Sequence, residues 1–161
     1  MSVGPEAIVL RAVEDRDMDV FFANQSDPEA NEMAAFTAKD PSDRSAFDTH
    51  WARIRVTASV LIRTIEVSDV VVGSVLSYVM EDTPEVSYWI GREHWGQGIA
   101  TVALEKFLKL QTTRPLIARV AKDNRGSVRV LEKCGFRITG EDKGFAHGRG
   151  EEVEEFVLQL D

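Results

Sequence analysis

Two hydrophobic periods alternate along the chain and divide it into elements. Ala7–Val13 ("AIVLRAV") is an apolar run of strand character, and Met18, Phe21 and Phe22 then recur at helical spacing. Pro28 is expected to end that helix, leaving Asn31–Asp43 as a long connection broken by Pro41. Ser42 or Asp43 caps the next helix, where Phe47, Trp51 and Ile54 share one face. The period then falls to two. Ser59–Val67 and Val70–Met80 are β-branched runs separated by a hairpin turn at Ser68-Asp69. A turn at "EDTP" leads into Glu85–Ile90 ("EVSYWI"), the third strand of a meander. Helical spacing returns over Ile99–Leu110, with Ala100, Ala103, Leu104, Phe107 and Leu108 on one stripe. Pro115–Ala121 is a short buried strand. Asp123 or Asn124 begins another helix, and Gly135 stands at the left-handed position that ends it. Phe136–Glu141 and Glu154–Leu160 are the closing strands, joined by "DKGFAHGRGEE".

This order predicts an α/β (α+β mixed) fold. The expectation is a single domain over residues 1–161, with a central mixed, mostly antiparallel sheet of about seven strands and helices on both faces. Helices flanking the fifth strand are the coverings that a parallel strand pair requires.

Composition narrows the function classes. Hydrophobic residues make up 43 % and charged residues 29 %, as in an ordinary globular chain. The net charge of −8 disfavours binding to a nucleic-acid backbone and biases the surface toward cationic partners, amines among them. The lone Cys134 excludes an internal disulfide and a multi-cysteine metal site. His50, His94 and His147 lack metal-ligand spacing, so no metal is expected. No apolar run approaches the ~20 residues of a membrane span, and the first residues lack the pattern of a secretory signal. A cytoplasmic protein, monomeric or homodimeric and away from membranes, is the expectation.

One stretch raises a chemical question. In "GREHWGQGIATVALEKF" (Gly91–Phe107) two glycines, Gly96 and Gly98, hinge a strand onto a helix. Such a junction bares several backbone N–H groups at the positive end of a helix, which is a cradle for an anion, most often phosphate. Gly96, Gly98 and Ala100 keep side chains small where the anion approaches. A nucleoside-triphosphate loop needs Gly-Lys-Ser/Thr, where this chain has Gly-Ile-Ala. A dinucleotide fingerprint needs a third glycine where Thr101 stands, and a parallel unit where a meander precedes. A pyrophosphate loop for coenzyme A and a helix entry tightened for packing both remain.

A second stretch, "NRGSVRVLEKCGF" (Asn124–Phe136), shifts the balance. Together the two resemble the GNAT superfamily of acyl-CoA N-acyltransferases. The family's Gln/Arg-x-x-Gly-x-Gly/Ala motif corresponds to Trp95-Gly96-Gln97-Gly98-Ile99-Ala100. Its second motif corresponds to Asn124, Ser127 and Glu132-Lys133-Cys134-Gly135-Phe136. Two departures stand out: Trp95 replaces the first Gln/Arg, and Leu131 replaces a tyrosine that in many members protonates the leaving thiolate. Both are similar to the branch that contains the ribosomal-protein N-terminal acetyltransferases.

The resemblance implies transfer of the acetyl group of acetyl-CoA to a primary amine, on a small molecule or a protein N-terminus, by direct attack. It places the backbone of Gln97, Gly98, Ile99, Ala100 and Thr101 around the pyrophosphate, with Gly96 beside it. It sets the backbone of Trp89 and Ile90 along the pantetheine arm, with the Trp89 N–H facing the oxyanion. Asn124 would bind the arm, or cap its helix. Glu85 reads equally as the general base or as a solvated strand-end carboxylate. Ser127 is the candidate acid, or a residue that merely orients the sulfur. Cys134 reads as a structural thiol; Met33, Phe36 and Trp51 are candidate walls of the acceptor pocket. A non-catalytic acyl-CoA-binding module and a nucleotide-binding protein are the competing readings.

Overall fold

The computed structural model describes residues 3–161. Strand β1 (Ile8–Arg11) is followed by three helices, α1 (Met18–Ser26), α2 (Pro28–Ala34) and α3 (Arg44–Val56). The meander β2 (Leu61–Val67), β3 (Val70–Met80) and β4 (Thr83–Ile90) comes next. Then come α4 (Ile99–Phe107), β5 (Leu116–Ala121), α5 (Arg125–Lys133), β6 (Arg137–Ala146) and β7 (Glu151–Leu160). The strands form one sheet in the order β1-β2-β3-β4-β5-β7-β6.

Every neighbouring pair is antiparallel except β4 and β5. Those two run parallel and share a single rung, Glu85 opposite Ile117. Beyond it β4 stays paired with β3 and β5 stays paired with β7, so the sheet opens between them. The meander turns at Ser68-Asp69 and Glu81-Asp82 both carry two consecutive positive φ angles, the geometry that matches the twist of a two-residue hairpin.

One face of the sheet packs against α4 and α5. Ile99, Leu104, Phe107 and Leu131 of these helices are buried with Ile8, Ile65, Val75, Val86, Leu116 and Leu158 of the strands. On the other face Phe21 of α1 and Phe47 and Trp51 of α3 form a separate aromatic cluster, the rings of Phe21 and Trp51 lying 4.8 Å apart. The single domain thus has helices on both faces.

Two stretches differ from the sequence expectation. Pro28 does more than end a helix: it begins α2, whose N-cap Asp27 accepts the Glu29 N–H at 3.3 Å. Proline suits a first helical position because that residue's N–H would be unpaired anyway. The last two strands are also much longer than their apolar cores. Their outer halves carry runs of charged residues on a hairpin at the sheet edge, held by cross-strand pairs such as Lys143–Glu152 (3.6 Å), with only Ala146 and Val153 buried there. That pattern has no hydrophobic period to detect.

Candidate active site

The gap between β4 and β5 is lined by backbone, and the register shows which backbone. The Gly91 N–H donates to the Val72 carbonyl at 2.9 Å. Hydrogen-bonded pairs recur at every second residue of an antiparallel ladder, so Trp89, Ser87 and Glu85 also turn their peptide groups toward β3. The peptide groups of Val86, Tyr88 and Ile90 point the other way, toward β5. Pro84 obeys the same alternation, since its missing N–H falls on a side that needs no donor to β3. This corrects the expectation for Trp89: its N–H belongs to the β3 ladder, and the residues facing the gap are Tyr88 and Ile90. The Ile90 carbonyl there is taken by the Trp95 indole, Nε1 donating at 2.9 Å.

The glycine hinge follows directly. Gly96 (φ 76°) and Gly98 (φ 79°) both adopt left-handed backbone, which other residues enter only at a cost. A methyl group at either position would meet no protein atom within 4 Å, so both glycines border open space. Gly98 is the N-cap of α4 and contributes no side-chain cap. The first-turn amides of Ile99, Ala100 and Thr101 therefore face outward without a capping acceptor, at the positive end of the helix. The Gln97 carbonyl holds the N-terminal segment through the Val3 N–H at 3.1 Å. This cradle fits a phosphate-bearing ligand in shape and in charge.

Across the gap, β5 passes into α5. Asn124 caps the helix, its Oδ1 accepting the Ser127 N–H at 3.3 Å. Ser127 Oγ lies 2.6 Å from the hydroxyl of Tyr88, which reaches over from β4. Burial pushes the Tyr88 hydroxyl up to about 12, so it stays protonated at neutral pH. Leu131, one turn further along, is buried in the core and carries no chemistry.

Glu85 sits at the rung where the strands part and is only 5 % exposed. Its carboxylate lies 3.4 Å from Nε of Arg119, which also meets Asp142 and Glu155. Burial raises the Glu85 carboxyl above its ordinary value, and the Arg119 charge opposes that rise. Glu85, Ser87 and Trp89 share the sheet face that carries α1 and α3, whereas Tyr88 faces α5. On the former face a cavity of about 160 Å³ lies among Phe21, Phe47, Trp51, Ser74, Ser87 and Trp89. The Trp89 indole N–H is buried without a partner.

The remaining candidates divide plainly. Cys134 is half-buried, its thiol pushed up to about 11 by burial, which suits a structural role. His50 and His147 are exposed, and His147 packs edge-on against Phe145 at 5.1 Å. Met33 and Phe36 are exposed and do not line the cavity, whereas Trp51 does. Among the described residues no cluster of three or more His, Cys, Asp or Glu is arranged to hold a metal ion, and no helix is long and apolar enough to cross a membrane.

Comparison with known proteins settles the family. The model of the acetyltransferase (GNAT) domain matches residues 7–137. The chain belongs to the GNAT acetyltransferases. It is thus an acyltransferase. The GNAT chain is 25 % identical to an uncharacterized N-acetyltransferase, p20, of Bacillus licheniformis, over 96 % of this chain and 93 % of the relative. Its fold matches that of RimJ of Mycobacterium smegmatis, solved in complex with CoA-disulfide (TM-score 0.78, 21 % identity, covering 95 % of this chain and 81 % of that one). It also matches a ribosomal-protein-alanine N-acetyltransferase from Brucella melitensis (TM-score 0.76, 20 % identity, 94 % and 98 % covered). Tyr88 is the site residue that the sequence reading missed. No local signal marked it, because its place beside the gap is set by how β4 pairs with β3 and by the packing of α5.

Proposed function

We propose that this GNAT protein transfers the acetyl group of acetyl-CoA to a primary amine, on a small molecule or a protein N-terminus, within a ternary complex. The observation that carries the reading is the parted pair β4–β5 ending at an uncapped helix whose two glycines border open space. One element offers amides to a diphosphate, and the other offers a free strand edge to an extended arm.

Acetyl-CoA supplies the activated acyl group, and the chain supplies position and charge. Amides from Gln97 to Thr101 hold the diphosphate. The Tyr88 and Ile90 amides face the arm, and the Tyr88 N–H is the donor for the oxyanion. The amine occupies the cavity beside Trp89 and Ser87, on the opposite face of the sheet. As the N–C bond forms and the C–S bond breaks, Glu85 collects the amine proton through water, and Ser127 supplies a hydrogen bond to the sulfur. The sulfur leaves as thiol once protonated from solvent. Raising the Glu85 carboxyl by burial makes it a better proton acceptor near neutral pH. Holding both substrates side by side removes the need for a covalent enzyme intermediate.

The test is thiol release from acetyl-CoA against a panel of primary amines and N-terminal peptides. Turnover that depends on the amine supports transfer. Tight binding of acetyl-CoA with no turnover by the wild-type chain would instead leave a non-catalytic binding module.

A further inference from the structure

Ser127 and Tyr88 are 39 residues apart in sequence and come from opposite walls of the gap, yet their hydroxyl oxygens are 2.6 Å apart. That is the short end of the range for O–H···O bonds. We propose that Tyr88 is a positioning residue: its hydroxyl donates to Ser127 Oγ and so directs the serine's own hydrogen into the gap. This rests on the acetyl-transfer reading above and adds to it a residue that no sequence motif marks.

The direction of the bond follows from acidity. A phenol is a stronger acid than an aliphatic alcohol, so the tyrosine is the donor. Burial keeps the phenol protonated well past neutral pH. Ser127 Oγ has Tyr88 as its side-chain partner among the described residues. Its neighbouring N–H is already bound by Asn124. With one lone pair occupied by the phenol, the remaining Ser127 hydrogen is free to meet an acceptor in the gap. A hydroxyl that accepts a hydrogen bond is polarised into a better donor. It can then stabilise the negative charge that develops on a departing sulfur.

The experiment uses the full chain, acetyl-CoA and the best amine of the panel, with Tyr88→Phe, Ser127→Ala and the double variant. Tyr88→Phe keeps the ring and removes only the hydroxyl. It is expected to lower kcat about tenfold while the KM for acetyl-CoA stays within about twofold, because the lost interaction acts only in the transition state. The double variant should be no slower than Ser127→Ala, since the two hydroxyls act in series. A bracing role alone would lower the melting temperature of Tyr88→Phe without this split. Unchanged kcat in Tyr88→Phe overturns the proposal, and so do additive losses in the double variant. A larger loss in Tyr88→Phe than in Ser127→Ala would mean that the phenol acts directly, and also overturns it. A wild-type chain silent across the whole panel removes the acetyl-transfer reading, and this proposal with it.

Discussion

Glu85 and Arg119 meet 3.4 Å apart at the last point where β4 and β5 are joined. The carboxylate is buried there, and desolvation outweighs the attraction of the guanidinium, so its pKa is raised. A carboxyl whose folded-state pKa is raised favours folding in its neutral form. The stability it contributes is complete below the unfolded-state pKa and is lost as pH rises through the folded-state value. Glu85→Gln stays neutral, and Arg119 keeps Asp142 and Glu155. The variant should therefore melt no lower than wild type at pH 7, by calorimetry. Its kcat/KM should fall about 100-fold, with loss of the ascending acid limb of the pH–rate profile. A variant with normal activity would remove Glu85 as the base.

Gly98 and Gly150 allow the cradle to be separated from backbone strain. Both have positive φ, 79° and 66°, and at both a methyl would meet open space. Gly98→Ala and Gly150→Ala should each cost about 1–2 kcal/mol in denaturant melts, the expense of a left-handed alanine. Only Gly98→Ala should also weaken CoA binding, by at least about tenfold in titration calorimetry, because its methyl intrudes where a phosphate meets the α4 amides. Equal CoA affinity in the two variants would empty the cradle of its role.

Ser87 is exposed on the sheet face that borders the aromatic cavity. At about 160 Å³ the space is small, and a phenylalanine side chain would occupy much of it. Ser87→Phe should raise the KM for the amine several-fold and leave the KM for acetyl-CoA unchanged, since that ligand is read from the strand edge and from α4. A rise in the acetyl-CoA KM instead would place the amine elsewhere.

Asp17 is fully buried and accepts from the two terminal guanidinium nitrogens of Arg11, at 2.7 and 2.8 Å, and from the Thr64 hydroxyl at 2.7 Å. Burial alone would raise its carboxyl, but these partners and the Glu14 N–H hold it down at about 2. A depressed carboxyl contributes stability above its unfolded-state pKa, and that stability is lost as pH falls through the folded-state value. Asp17→Ala should cost about 3 kcal/mol at pH 7, by leaving the buried Thr64 hydroxyl without its acceptor and Arg11 with only Glu14 and Glu66 as carboxylate partners. The difference from wild type in urea melts should narrow as pH drops from about 4 toward 2.

The site is partly legible in the amino-acid sequence alone. Gly96 and Gly98 announce a hinge because their demand for left-handed backbone is local, and Asn124 announces a helix start for the same reason. Glu85 and Ser127 could be named, but not their partners. Arg119 and Tyr88 reach them only through strand pairing and the packing of α5. The expectation for Trp89 failed on parity. A strand's side-chain period is readable in sequence, whereas the edge to which each peptide group turns depends on which neighbour the strand pairs with.

By itself the amino-acid sequence determined the order of elements apart from α2, the meander with its first hairpin turn and the glycine-hinged helix start, all consequences of short-range periodicity and backbone preference. The tertiary structure alone decided the single rung between β4 and β5, the amides left facing the gap, and the hydroxyl pair that spans it. Those depend on register and on contacts between distant segments, which are set by how whole faces pack together.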